Sequence, residues 1–371
     1  KEAVKVFKKV GITRVANIST LSRPGGSIHT MSAIRPNAYI QQMSNGKGIT
    51  KLNSTASAIM ETIELMHSET MKGLQYEITS AKKIIELGKL AYTLEELLPN
   101  NTSGSMLDLS EANMPYLNAT EFKLDENLKL QKEGCYIPAA ACIFQVFPYT
   151  NRSISTNGLS SGNTREEAMI HGLLELIERD AISKAKEVRR VKIKESNKSK
   201  QLRYLEQADL EYEINYYEHE THIPTIGCVI YDKKATARIN AITEGWGCHK
   251  NKEIALSRAV TEAVQGKTVS TQGAREDIDE IRQLLNEDEI YMISKIIQEE
   301  RQKNKLRNSI NYEDINNLEV EEEDSEELYS LIRTVLTETN QKVLCIDLSR
   351  PDIGISVTKC IVPGFGRKNE R

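Results

Sequence analysis

The sequence predicts an α/β fold of the mixed α+β kind, with mixed sheets and internally repeated, acid-bearing helices. Strand-like and helix-like segments alternate along the 371 residues, and one helical acid pattern occurs three times. The hydrophobic content of 39% and the charged content of 27% are typical of a globular protein. A chain of this length can bury a large core, and we expect a single domain over residues 1–371.

The elements follow in chain order from hydrophobic periodicity and turn residues. Apolar, β-branched runs bounded by Gly, Pro or Asn predict strands, and apolar residues at a period near 3.6 predict helices. The predicted strands cover 13–18, 28–34, 136–148, 212–217, 225–231, 237–243, 343–348 and 355–362. The predicted helices cover 2–10, 50–68, 80–97, 165–188, 252–268 and the charged stretch 276–318.

The three acid patterns lie at 57–64, 171–178 and 258–265, each on a predicted helix. In every copy an acid is followed three residues later by Glu or Gln, so both side chains share one helix face. Glycine-containing segments at 46–48, 161–164 and 247–249 precede the helices and are predicted to be turns. The pairs are Glu61 with Glu64, Glu175 with Glu178, and Glu262 with Gln265.

Carboxylates gathered in one place repel one another unless a cation lies among them. Mg²⁺ prefers a few carboxylates together with phosphate oxygens, so the pattern predicts a nucleotide site. Arg179 would neutralise phosphate charge there. The alternative is that the glutamates form surface ion pairs; the threefold recurrence and the apolar neighbours at 172–177 disfavour it. The predicted metal ligands are Glu61, Glu64, Glu175, Glu178 and Glu262.

Composition limits the class of protein further. A net charge of −4 and 5% aromatic residues do not indicate a nucleic-acid partner. No apolar run is long enough for a membrane span and no signal peptide is evident, so we expect no membrane contact and a cytoplasmic location.

His219 and His222 are three residues apart but have no matching set of further ligands, so we expect a solvent-facing pair of histidines and not a zinc site. His171, His249 and Cys248 stay open between catalytic and packing roles.

The second acid helix, with its lead-in 155–164 and the run 166–180, resembles the signature of the YcaO family. Residues 11–15 and 33–37 resemble the amino-terminal blocks of that family, and 362–364 resembles its closing block. Residues 46–48 with Ser57, Glu61 and Glu64 resemble the first acid motif. Residues 245–249 with Glu262 and Gln265, followed by 273–277, resemble the third.

This resemblance implies ATP-dependent activation of a peptide backbone amide, with ATP and Mg²⁺ as cofactors. In the family the amide oxygen attacks the γ-phosphate, and a nucleophile then replaces that oxygen. A neighbouring Cys, Ser or Thr side chain gives an azoline ring, whereas sulfide gives a thioamide. The resemblance implies catalytic roles for Glu61, Glu178 and Arg179. The residues that match the cofactor-binding motif are Ser57, Glu61, Glu64, Glu175, Glu178, Arg179, Glu262, Gln265 and the phosphate-contacting Arg275.

Within the family, the sequence favours a stand-alone thioamide-forming member. It lacks both the proline-rich tail and an evident leader-binding domain, which are features of many ring-forming members. Stand-alone archaeal relatives act on a glycine of methyl-coenzyme M reductase, which suggests that substrate by analogy. We expect a peptide or protein substrate and sulfide or a sulfur-delivering protein as partners, with a homodimer as one assembly to test. The alternatives are an azoline-forming cyclodehydratase, an accessory factor for ribosomal protein methylthiolation, and a non-catalytic ATP-binding scaffold, which the intact acid motifs disfavour.

Overall fold

The computed structural model describes residues 6–23, 27–97, 110–144, 155–235, 238–272 and 288–366. Helices and strands interleave along these ranges, so the predicted mixed α+β class is confirmed. The strands are β1 (Arg14–Asn17), β2 (His29–Ile34), β3 (Met43–Gly48), β4 (Tyr76–Thr79), β5 (Met114–Leu124), β6 (Leu130–Pro138), β7 (Leu159–Gly162), β8 (Val188–Lys192), β9 (Glu211–Tyr217), β10 (Thr225–Tyr231), β11 (Ile242–Cys248), β12 (Ser309–Asn311), β13 (Val343–Asp347) and β14 (Ser356–Ile361). The helices are α1 (Phe7–Val10), α2 (Lys51–Glu69), α3 (Ala81–Glu86), α4 (Leu94–Leu97), α5 (Arg165–Lys184), α6 (Lys200–Gln207), α7 (Arg238–Ala241), α8 (Lys252–Gln272), α9 (Asp288–Lys305) and α10 (Asp324–Thr339).

The described strands form three sheets. The first is antiparallel in the order β1-β2-β3. The second runs β11-β10-β9-β8-β12 and is mixed, because β12 pairs with β8 in parallel while its other pairs are antiparallel. The third runs β4-β5-β13-β14-β7, with β6 also paired to β5, and its pairs are antiparallel. Each sheet therefore contributes one strand that leads into an acid-bearing helix: β3, β11 and β7.

The three strand–helix units, β3–α2, β7–α5 and β11–α8, pack in a cycle. Each helix lies on the strand that precedes it. Each helix also contacts the strand of the next unit: α2 contacts β7, α5 contacts β11, and α8 contacts β3. The cycle closes on itself, so it brings the acid-bearing faces of three helices distant in sequence toward one another.

Polar side chains cap the start of each of these helices. The hydroxyl oxygens of Thr50 and Thr164 each accept a hydrogen bond from the backbone N–H three residues later, at 3.1 and 3.0 Å. The amide oxygen of Asn251 accepts one from the N–H two residues later, at 2.8 Å. A cap of this kind stabilises a helix by about 1 kcal/mol. The caps fix where each helix begins, and thereby where its acids lie.

The glycines that precede the three acid helices are strand residues, so the prediction of turns at 46–48, 161–164 and 247–249 was wrong for them; Gly162 is the last residue of β7. Gly46 lies in β3 and Gly247 in β11. A Cβ on Gly46 would stand 2.1 Å from the backbone nitrogen of Ala58, and one on Gly247 would stand 2.2 Å from the carbonyl oxygen of Ala255. The helix backbone therefore lies directly on the strand, an approach that needs glycine.

Other predicted segments differ in type or length. The single helix predicted at 80–97 is two short helices, α3 and α4, because Gly88 adopts a φ of 75° between them. Strand β6 ends at Pro138, and a buried 3₁₀ turn follows at Ala139–Ala141. The strand predicted at 237–243 begins only at Ile242, after α7. The charged stretch 276–318 contains α9 and then β12, while its part at 276–287 lies outside the described residues.

Candidate functional site

The first acid of each pair occupies the same place in its strand–helix unit. Glu61, Glu175 and Glu262 each lie ten residues after the first residue of their helix, which is 51, 165 or 252. Three residues before each acid stands a small residue that lets the helix lie close to its strand. These small residues are Ala58, Gly172 and Ala259. The acid therefore projects about one turn beyond the point of closest helix–strand contact.

In two of the three pairs, the second residue forms a hydrogen bond to the neighbouring strand–helix unit. The Glu64 carboxylate accepts hydrogen bonds from the backbone N–H and the hydroxyl of Ser161 in β7, at 2.9 and 2.6 Å. The Gln265 amide donates to the carbonyl oxygen of Asn45 in β3 at 2.6 Å. Both contacts cross between neighbouring units of the cycle. Spacing predicts a ligand role for Glu64, and the family resemblance implies a cofactor-binding role for Gln265; neither predicts these contacts between units.

Glu61 and Glu178 differ from the other glutamates, because neither accepts a hydrogen bond from any of the described residues. Glu178 is buried and Glu61 is half-buried. Glu175, by contrast, accepts a hydrogen bond from the backbone N–H of Gly158 at 3.0 Å, and Glu262 forms an ion pair with Lys47. The two carboxylates without hydrogen-bond partners are the two that the sequence predicted to be catalytic.

Burial and repulsion between neighbouring carboxylates raise the pKa values of Glu61, Glu64 and Glu178. Burial raises the pKa of Glu61 to about 7, and the nearby charges of Glu175 and Glu262 add to the rise. Burial raises the pKa of Glu64 to about 8. Burial, and then the charge of Glu262, raise the pKa of Glu178 to about 7. We refer to Glu61, Glu64, Glu175, Glu178 and Glu262 as the acid cluster.

Two cations border the acid cluster. Lys47 in β3 pairs with Glu262, and its backbone N–H donates to the Ser57 hydroxyl at 3.3 Å. The Nε of Arg179 lies 4.0 Å from the carboxylate of Glu175 and has no hydrogen-bond partner among the described residues. The guanidinium can therefore still bind an incoming anion. Both cations lower the pKa of Glu178, and they do not outweigh its burial.

The acid cluster fits Mg²⁺ bound together with phosphate better than Mg²⁺ held by protein alone. No group of three or more His, Cys, Asp or Glu side chains in the described part of the chain converges closely enough to hold a metal. Mg²⁺ usually takes one or two carboxylates and fills its remaining positions with water and substrate phosphates. Glu61 and Glu178 match that requirement, and their raised pKa values show that a cation there would relieve unfavourable negative charge.

The other candidates have structural roles or lie elsewhere. His219 is buried, so the predicted solvent-facing pair with His222 was wrong for this residue; its ring hydrogen-bonds to Asp180 at 3.1 Å and to Thr221 at 2.8 Å. Burial raises the pKa of Cys248 to about 12, so this thiol is not an activated nucleophile. Burial and Arg258 lower the pKa of His249 to about 4. Arg275 falls outside the described residues. A surface groove of about 1020 Å³ beside β6 and α10 includes none of the acid cluster.

Sequence reasoning missed three cations near the acid cluster. Lys47 stands between two glycines and was taken for part of a turn. Arg258 lies four residues before Glu262 on α8, and its guanidinium donates to the Cys248 carbonyl oxygen at 3.1 Å. It is also close enough to Glu178 for the charge of that carboxylate to act on the pKa of Arg258. Lys359 is buried in β14. Lys359 could have been recognised from the sequence, because a lysine within a strand predicted to be buried is uncommon.

The mixed fold with its acid cluster agrees with a family whose description includes ATP and Mg²⁺ binding. The model of the family described as YcaO cyclodehydratase, ATP- and Mg²⁺-binding, matches residues 45–366. The chain belongs to the YcaO family. An uncharacterized protein of Methanothermobacter thermautotrophicus is 31% identical over 386 aligned residues, which cover 98% of this chain and 93% of that protein. An uncharacterized protein of Mycobacterium tuberculosis is 25% identical, and the match covers 72% of this chain and 59% of the relative.

Solved structures share the fold. YcaO from Methanopyrus kandleri, bound with AMPPCP and Mg²⁺, aligns with a TM-score of 0.72 and 19% identity, over 98% of this chain and 88% of that one. A heterocyclase in complex with substrate and cofactor aligns with a TM-score of 0.74 and 20% identity, over 98% of this chain and 52% of that one. The family is ATP-dependent, with cyclodehydratase-type activity, and its cofactors are ATP and Mg²⁺. Within the described residues, no helix is long and apolar enough to cross a membrane.

Proposed function

We propose that this protein uses ATP to phosphorylate the oxygen of a peptide backbone amide and that sulfide then replaces this oxygen, giving a thioamide. The amide oxygen attacks the γ-phosphate and ADP leaves. Hydrosulfide adds to the activated carbon, and phosphate departs with the original amide oxygen. The observation that carries the proposal is the pair of carboxylates, Glu61 and Glu178, that accept no hydrogen bond from the described residues, within a cluster drawn from three helices.

Each charged group has a role in this scheme. Glu61 and Glu178 would hold the metal, with Glu64, Glu175 and Glu262 surrounding it. When bound, Mg²⁺ neutralises phosphate charge and orients the γ-phosphate for attack. Arg179 would contact a phosphate oxygen with its planar guanidinium, which borders Glu175. Ser57, Gln265 and Arg275 complete the cofactor-binding residues that we propose by resemblance.

The finer parts of the proposal concern substrate, sulfur source and assembly. The resemblance to stand-alone archaeal members suggests a glycine of methyl-coenzyme M reductase as the substrate. The archaeal relatives support this grouping, because the matches cover 93% and 88% of their lengths. We further propose that sulfide arrives free or from a delivering protein, that residues 1–371 act as one domain, that the chain forms a homodimer, and that it works in the cytoplasm.

Incubation of the protein with ATP, Mg²⁺, sulfide and a glycine-containing peptide, read by intact mass, tests the proposal. The peptide should contain no Cys, Ser or Thr after the reacting amide. We expect a mass gain equal to the exchange of one oxygen for one sulfur, and no change when either ATP or sulfide is omitted. E178Q is the matched inactive variant, because it keeps the shape of the side chain and removes its charge.

The same assay tests the alternative that the protein forms azoline rings. The structural similarity to a heterocyclase is the reason to include this alternative. A second peptide carries a Cys directly after the reacting amide. Loss of one water without added sulfide would establish ring formation and contradict the thioamide proposal. ATP hydrolysis without modification of either peptide would leave the ATP site supported and remove both peptides as substrates.

A further inference from the structure

Lys359 is a buried lysine on an otherwise apolar face of β14. It lies in β14 between Val357 and Ile361, which share its face of the strand and belong to the hydrophobic core. Its side chain is only 5% exposed, and it forms no ion pair with any residue in the described ranges. Burying an ammonium group without an ion-pair partner costs free energy, so hydrogen bonds must compensate for that cost.

Two backbone carbonyl groups of one short segment provide those hydrogen bonds. The Lys359 ammonium donates to the carbonyl oxygens of Ser155 and Asn157, both at 2.7 Å. The next residue of the strand, Cys360, donates its backbone N–H to the carbonyl oxygen of Gly158 at 2.8 Å. Consecutive residues of β14 therefore hold both ends of the segment 155–158.

The held segment carries the hydrogen-bond donor of one glutamate of the acid cluster. The backbone N–H of Gly158 donates to the Glu175 carboxylate at 3.0 Å. Gly158 adopts a φ of 78°, and a Cβ there would stand 2.4 Å from the carbonyl oxygen of Cys360. The segment thus has little freedom to move without losing its contact with Glu175.

We propose that Lys359 is a positioning residue for the nucleotide site: it holds the segment 155–158 so that the backbone N–H of Gly158 orients the Glu175 carboxylate. The inference rests on the part of the proposed function that assigns Glu175 to Mg²⁺ and ATP. Burial lowers the pKa of Lys359 to about 8, whereas the negative charge of Glu175 acts to raise that pKa. The two groups are therefore close enough to interact electrostatically. Residues that support a metal site from outside its direct ligands commonly change metal affinity by about 10- to 100-fold when removed.

The test is a double-mutant cycle between Lys359 and Glu175, read by the dissociation constant of AMPPCP at saturating Mg²⁺. K359M should raise that constant by about 10-fold or more, and K359Q, which keeps one donor, should raise it less. In the E175Q background, K359M should have almost no further effect, because the residue through which it acts has been changed. A full, independent effect of K359M in that background would overturn the proposal.

The control is K250M, which removes another buried lysine, 4% exposed, that pairs with Glu327 away from the acid cluster. K250M should lower thermal stability and leave the AMPPCP affinity of the folded protein unchanged. A folded K359M with wild-type affinity would contradict the positioning role. If neither K359M nor K359Q folds, Lys359 serves the fold itself, and the proposal fails. The readout needs no peptide, so absence of thioamide formation would not affect it.

Discussion

Replacement of Glu61 by Gln should make the metal-free protein more stable while abolishing ATP turnover. Burial and neighbouring carboxylates raise the pKa of Glu61 from 4.5 to about 7. Each pKa unit corresponds to about 1.4 kcal/mol, so the ionised carboxylate costs the folded state about 3 to 4 kcal/mol at a pH above both values. Gln keeps the shape of the side chain without that charge, and it cannot replace the carboxylate as an Mg²⁺ ligand.

Urea denaturation at pH 8.5 without Mg²⁺ measures the stability change, and phosphate release measures ATP turnover. E69Q is the control on the same helix. Glu69 pairs with Arg35 and accepts backbone hydrogen bonds from Tyr39 and Ile40, so loss of its charge should destabilise the protein by roughly 3 kcal/mol. An E61Q protein less stable than wild type under these conditions, or one with normal turnover, would refute the reasoning.

Three further predictions follow from the same contacts. Between pH 7 and 8, above the range in which the buried histidines titrate, the melting temperature of the Mg²⁺-free protein should fall as the pH rises, because the folded state keeps protons on Glu61, Glu64 and Glu178 that the unfolded state has lost; calorimetry that shows a rise would contradict this. R179K should lower ATP turnover by about 10-fold, since lysine keeps the charge and loses the planar fork; equal turnover would reduce Arg179 to a structural partner. G46A should destabilise the protein by about 1–3 kcal/mol in urea, because its Cβ would meet the α2 backbone at 2.1 Å; a neutral result would mean that β3 and α2 separate easily.

The acid helices were predictable because their signals are local. Apolar periodicity and capping residues placed the first helix at 50–68 and the third at 252–268, against Lys51–Glu69 and Lys252–Gln272 in the structure. Strand β3 was not predicted, because the glycines that let α2 approach it are also the residues that mark turns. Local sequence does not distinguish a glycine needed for packing from one needed for a bend.

The roles within the acid cluster depended on contacts between distant parts of the chain. Helical spacing predicted equivalent roles for Glu61 and Glu64, yet Glu64 bonds to Ser161 in the next unit while Glu61 accepts no hydrogen bond from the described residues. Lys47 appears beside Glu262 only when β3 meets α8. Lys359 is buried because β14 lies between β13 and β7, and strand order is not encoded in the strand itself.

Calorimetric binding of AMPPCP to wild type and to E61Q, E178Q and E262Q, one variant for each acid helix, tests the central claim most directly. We expect wild type to bind the analogue only with Mg²⁺ and each of the three folded variants to bind it at least about 10-fold more weakly. Wild-type affinity in any one of them, or binding that does not require Mg²⁺, would contradict a single nucleotide site built from all three units.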